Sequence, residues 1–231
     1  MKRIPEPELM NDSDQAKAYA AADFSCSDQN FIVKLEKYIS VKSKVINNKS
    51  LIVDIGCGPG NITERLAFRW PFAEIVGIDG SEEMLTIARS RQKQNSSLIQ
   101  LEGLSYIHQN LASFAKERLT IVNNADVLVS NSLLHHIHNP NLFWKAIQNI
   151  GKSGTIIFLK DLRRPKSFKE VKRLQEKYQP NASAILNRDY LASLQAAFTI
   201  SEVKSQLDFA GLCQLKVFEV DDRYLEVVGI L

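Results

Sequence analysis

Three of the chain's ten glycines fall within five positions, Gly56-Cys57-Gly58-Pro59-Gly60. Glycine tolerates φ > 0 and lets a ligand approach the backbone closely. A helix that follows such a loop offers unpaired N–H groups at its start. Asp79 lies 23 positions after Gly56, at the end of EIVGID (74–79). A carboxylate in that place can accept hydrogen bonds from both hydroxyls of a ribose. Three of the four histidines, His135, His136 and His138, fall within four positions. A neutral imidazole can act as a general base near pH 7, so His136 is the candidate catalytic group and His135 a candidate substrate contact; a packing role is the alternative for His136. The spacing is not the i, i+4 pair of a helical zinc site, so no metal is expected.

These residues need a scaffold that brings strand ends together. LIVDIG (51–56), EIVGID (74–79), LSYIHQ (104–109), ADVLVSN (125–131) and TIIFLK (155–160) read as strands. Between them lie helical stretches at 62–70, about 81–91 and about 140–149. Strand–helix alternation predicts right-handed crossovers and a parallel sheet with helices on both faces. In such sheets ligands bind outside the carboxyl ends of the strands, where the glycine loop sits. Helices are expected at 11–22, with Asn11 or Asp12 as cap, and at 28–46. After residue 160 the pattern changes to helix over 167–178, one or two helices over 183–209, and strands at 213–220 and 222–229. Asp221-Asp222 reads as a hairpin turn, so the last pair is expected to be antiparallel.

The chain has 231 residues, 45% hydrophobic and 24% charged, which excludes collagen-like, low-complexity and wholly disordered classes. Its formal charge of +3 does not mark a nucleic-acid binder. The charge is uneven, because residues 160–177 hold eight lysines and arginines against three acids, a net +5. That stretch could attract an anionic acceptor or RNA; a solvated helix face is the alternative. Cys26, Cys57 and Cys213 have no close spacing, which fits a reducing cytoplasm. Nothing reads as a membrane span or a secretory signal.

A dinucleotide fingerprint needs G-x-G-x-x-G/A. Here the third small position is Asn61, and Pro59 would stiffen a turn meant to wrap a pyrophosphate, so that cofactor is disfavoured. VDIGCGPGN (53–61) instead resembles motif I of the class I S-adenosylmethionine-dependent methyltransferases. IVGIDGSEEMLTIAR (75–89), ADVLVSNSLLHHIHNP (125–140) and IGKSGTIIFLKDLRRP (150–165) resemble later blocks of the same family, in the expected order. The flavour is that of its small-molecule methyltransferases.

The resemblance implies a Rossmann-like, seven-stranded, mostly parallel α/β sheet, with one antiparallel strand near the C-terminus and an N-terminal helical lid. It implies one transferase domain over residues 1–231: lid 1–48, cofactor core 49–165, helical acceptor-pocket segment 166–210 and hairpin 211–231. The cofactor, S-adenosyl-L-methionine, would meet Asp54, Gly56, Cys57, Gly58, Gly60 and Asn61 in motif I. Asp79 would hold the ribose, with Gly80 and Met84 near the adenine. Asn110 stands where the family often has an acid facing the adenine amino group, with Leu111 next to it. Asn131 and Ser132 would lie beside the sulfonium.

The acceptor is expected to be a small molecule, anionic in one version. Asp161 and Arg163, after the fifth strand, are acceptor-pocket candidates, and Arg164 reads as a solvent-facing turn residue. Tyr19 and Phe24 in the lid would touch cofactor or substrate, or else pack. The stretch Asn187-Arg188-Asp189-Tyr190 is expected in the other pocket wall, with Asn187 as an alternative helix cap. Asn/Asp-Pro-Pro-Tyr and Pro-Cys motifs are absent, which disfavours amino methylation of bases or glutamine and carbon methylation of pyrimidines. An RNA methyltransferase using the 160–177 face and a non-catalytic cofactor-binding adaptor stay open as alternatives.

Overall fold

A computed structural model describes residues 1–7, 9–116 and 122–231. Its centre is a seven-stranded sheet in the order β3-β2-β1-β4-β5-β7-β6. The strands are β1 Leu51–Ile55, β2 Glu74–Asp79, β3 Leu104–His108, β4 Ala125–Asn131, β5 Gly151–Leu162, β6 Lys216–Glu219 and β7 Tyr224–Ile230. β1 to β5 pair in parallel, and β7 alone runs against its neighbours β5 and β6. This is the expected hairpin.

Adjacent residues of the central strands serve opposite faces. Ile52, Ile75 and Val127 pack with Phe31, Leu35 and Leu66 on one side. Val53, Val76 and Leu128 pack with Phe143, Trp144 and Ile147 on the other. That double burial is why these strands read as continuous apolar runs.

The helices are α1 Ser13–Ala21, α2 Ser25–Val41, α3 Asn61–Arg69, α4 Glu82–Gln94, α5 Ser96–Ile99, α6 Leu111–Lys116, α7 Pro140–Ile150, α8 Phe168–Tyr178, α9 Ala184–Ala196 and α10 Ile200–Phe209. Several start where a short polar side chain can take a free N–H. Asp12 accepts from Gln15, Ser81 from Met84, and Thr199 forms a capping box with Glu202. Ser183, not Asn187, caps α9. Asn187 lies one turn inside that helix, where its amide bonds Gln175 and the Ala182 carbonyl. The helix expected over 28–46 begins at Ser25 and stops at Val41, just before Ser43 turns to φ 52. The 183–209 stretch is two helices, parted at Phe198, which bridges to Arg163. Helices α5 and α6 carry too little periodicity to be read from sequence.

The strand order reverses direction between β1 and β4. Loops after these two strands diverge to opposite sides there and leave a crevice at the carboxyl end of the sheet.

Candidate functional site

Backbone geometry builds the glycine loop. The N–H groups of Gly56 and Cys57 both donate to the Ile78 carbonyl, at 2.8 and 3.0 Å. Gly56, Gly58 and Gly60 have φ of 72°, 54° and 90°, a region costly for other residues. Asp79 closes the loop by accepting from the N–H of Gly58 and of Ser81, each at 2.8 Å. Burial raises the Asp79 pKa, and the backbone hydrogen bonds oppose that rise. Asp54 is buried inside β1, accepts from the Thr63 hydroxyl at 2.7 Å, and burial pushes its carboxyl up to about 7. Burial also pushes the Cys57 thiol well up, so it is no nucleophile.

The loop borders a cavity of about 300 Å³. Asp54, Gly56, Cys57, Gly58, Asn61, Asp79, Gly80, Met84, Asn110, Leu111, Asn131 and Ser132 all line it. Gly60 is not among the lining residues. Its glycine is required by packing, since a Cβ there would sit 2.5 Å from the Tyr106 hydroxyl oxygen. The Asn110 amide oxygen accepts from Ala112 N–H at 2.8 Å, so it also serves the start of α6. Sequence reading missed Arg91 of α4, which donates to Pro59 O, Asn61 and Glu64 and ties the loop to two helices.

At the other end of the cavity the chain after β4 forms a short 3-10 turn, Leu134–His136. Asp161 is not a lining residue. It is buried behind the turn, accepting from Leu134 N–H and from His135 Nδ1, both at 2.6 Å. It therefore positions His135. Burial lowers the His135 pKa, but Asp161 outweighs it and the net direction is up. His136 has no such hydrogen bond, although Glu6 Oε1 lies 3.4 Å from its Nδ1; burial, and then His135, hold its pKa well below the usual value. Both histidines line the cavity. Tyr19 lines it too, its ring 5.0 Å from that of Phe24, and burial raises its phenol.

Arg163 is likewise absent from the lining. Its guanidinium turns to the β6–β7 hairpin, donating to Glu219 and to Asp221 O. Arg223 takes the expected place and is the only lysine or arginine among the described lining residues. Because β7 is reversed, its beginning lies beside the end of β5, where Leu162 pairs with Tyr224. The Arg223 guanidinium stacks 3.6 Å from the Tyr178 ring centre and 4.6 Å from that of Tyr224. Tyr190 lines the same cavity. Arg164 is not solvent-facing; it is 7% exposed, paired with Glu202 at 2.5 Å and bonded to Ala197 O.

Residues 1–7 and 9–10 form a strap across the cavity. Arg3 donates to the carbonyls of Ala196, His135 and Ile137 and covers the Phe198 ring. Further along, Glu6 O meets His138 Nε2, and Met10 O accepts from Ser81 at the cofactor end. Leu9 and Met10 line the cavity. The basic stretch 160–177 is less open than its charge suggests. Lys160 and Arg164 are buried, and Arg173 and Lys177 pair with Asp222.

The donor set fits a nucleoside-bearing cation. Asp79 keeps lone pairs beyond its two backbone bonds, and the buried Asn131 Oδ1 has no hydrogen-bond partner among the described residues. The sequence pattern of the methyltransferase domain family matches residues 46–211. A stretch of 86 residues is 41% identical to the trans-aconitate 2-methyltransferase of Afipia carboxidovorans, covering 37% of this chain and 28% of that protein. A SAM-dependent methyltransferase from Aquifex aeolicus superposes with a TM-score of 0.65 at 15% identity, over 94% of this chain and 98% of that one. The plantazolicin methyltransferase BpumL, solved with a monoazolic desmethyl analogue and SAH, gives a TM-score of 0.69 at 17% identity, over 94% and 90%. The family pattern covers more than half of the sequence, and the chain belongs to the methyltransferase domain family, of the class I S-adenosylmethionine-dependent type.

Proposed function

We propose that the protein transfers a methyl group from S-adenosylmethionine to a small-molecule acceptor that carries an anionic group. The observation that carries this reading is one cavity with two chemically distinct ends: the glycine loop with Asp79, and Arg223 with Tyr190. The substrate in the name of the Afipia relative, trans-aconitate, is an anion, which supports the second half. In this reading residues 1–231 are one transferase domain, with lid 1–48, core 49–165, pocket segment 166–210 and hairpin 211–231. Among the described residues no helix is long and apolar enough to cross a membrane. That and the three free cysteines support a cytoplasmic setting.

The cofactor supplies an activated methyl on a sulfonium leaving group. What the chain supplies is position. Asp79 accepts the ribose hydroxyls, Met84 and Gly80 border the adenine, and Asn131 and Ser132 flank the sulfonium. Arg223 neutralises the acceptor's charge, and its ring stacking limits its motion. Holding the reacting atoms about 3–3.5 Å apart accounts for much of the acceleration. A carboxylate acceptor needs no base. A hydroxyl acceptor does, and neutral His136 stands at that end of the cavity. Incubating the protein with methyl-labelled cofactor and fractionated cell extract tests the reading. Label is expected in the small-molecule fraction; label confined to RNA or protein, or no label, overturns it.

A further inference from the structure

Glu6 of the strap meets the histidine pair at the acceptor end of the cavity. Its Oε1 lies 3.4 Å from His136 Nδ1 and 3.6 Å from His135 Nε2. These three atoms lie within 4.8 Å of one another. His135 Nδ1 faces the Asp161 carboxylate, which leaves Nε2 as the ring nitrogen turned towards Glu6. His136 Nδ1 is buried and has no hydrogen-bond partner among the described residues. Glu6 Oε1 is also buried and without a hydrogen-bond partner among them. Two imidazole nitrogens and a carboxylate oxygen thus converge in a buried place.

A cation at their centre would give all three atoms a partner. We propose that Glu6, His135 and His136 bind a divalent transition-metal ion, with zinc the best match. Zinc held about 2.0–2.1 Å from three tetrahedrally placed N and O ligands sets neighbouring donors about 3.3 Å apart. The Glu6 edges already approach that spacing. Asp161 on His135 is the carboxylate–histidine support usual behind a metal ligand. Ser193 steadies the carboxylate through Glu6 Oε2, at 3.3 Å. Both histidines line the cavity, so the open coordination position faces the acceptor. There the ion would take an acceptor oxygen as a Lewis acid, with His136 serving as ligand instead of base. Sequence spacing argued against a metal because the third ligand comes from the strap, far away in the chain.

The test uses the full chain stripped with a chelator and then titrated with Zn²⁺, and in parallel with Co²⁺. Elemental analysis after desalting is expected to give one ion per chain, and Co²⁺ is expected to show the visible bands of a four- or five-coordinate site. Glu6→Gln is close in shape and is expected to weaken binding at least tenfold. Asp161→Asn is expected to weaken it by roughly 10–100-fold. Near-UV circular dichroism and the melting shift with S-adenosylhomocysteine check that each variant is folded, and they read the cofactor end independently of the metal. Substoichiometric binding to wild type, or full binding retained by folded Glu6→Gln protein, overturns the proposal.

Discussion

Asp79 accepts the backbone N–H of Gly58 at 2.8 Å, which joins the end of β2 to the loop after β1. The carboxylate therefore holds its own loop in shape as well as facing a ligand. In wild-type protein, S-adenosylhomocysteine at 100 times its Kd adds about 2.7 kcal/mol. That is a Tm rise of roughly 5–10 °C for a chain of this size. Asp79→Ala is expected to show no resolvable rise in scanning fluorimetry. A full rise would remove Asp79 from the cofactor site.

Arg223 is expected to act on the acceptor and not on the cofactor. Arg223→Met keeps much of the stacking volume against Tyr178 and Tyr224 but removes the charge. A hydrogen bond to a charged group contributes about 1.5–3 kcal/mol, so KM for an anionic acceptor should rise roughly 10–100-fold. The melting shift with S-adenosylhomocysteine should stay as in wild type. Steady-state kinetics with an unchanged KM would leave Arg223 a structural residue.

Lys160 makes stability depend on pH in a definite direction. Burial lowers its pKa from 10.5 to about 8. Its ammonium donates to Ser27 at 2.7 Å and lies 4.1 Å from the Tyr224 ring centre. Between the two pKa values the unfolded chain holds a proton that the folded one has released, so stability rises with pH there. Below pH 8 the folded state bears the whole cost, roughly 3 kcal/mol. Lys160→Met removes that titration. From urea melts, the variant's stability relative to wild type is expected to fall between pH 8 and pH 10. A difference that stays flat contradicts the assignment.

Arg164 and Lys169 look alike in sequence and should behave differently. Arg164 is buried and bonds Ala197 O and Glu202, whose side chain is 40% exposed. Because Glu202 can recover water, Arg164→Ala is expected to cost about 2–3 kcal/mol, less than a fully buried pair. Lys169→Glu, on the exposed side of α8, should stay within about 0.5 kcal/mol. Equal midpoints for the two variants in urea would show that the Arg164 pairing adds nothing.

The residues legible from sequence were those whose role is local. The glycine loop, Asp79, Met84 and the cap Ser81 each act within a few positions of their own strand end, and type and spacing announce them. Arg91, Asp161 and Glu6 act across the fold. Nothing near Glu6 in sequence points to His135, and nothing near Arg91 points to Pro59. Arg163 and Arg164 mark a second limit. Position placed both at the end of β5, but neighbouring residues of an extended chain leave on opposite sides. One joined the hairpin and the other sank against α10. Arg223 was hidden for a different reason. It sits at the start of the reversed strand, whereas the rule followed in sequence looks to strand ends.

The strap across the cavity also sets an order of assembly. Arg3 finds its carbonyls 132 to 193 residues downstream, and Glu6 meets Ser193 at a separation of 187. These residues are made well before their partners, and they have nothing to hold until those distant segments follow. The strap is thus seated late, and the site gains its roof only after α9 has formed.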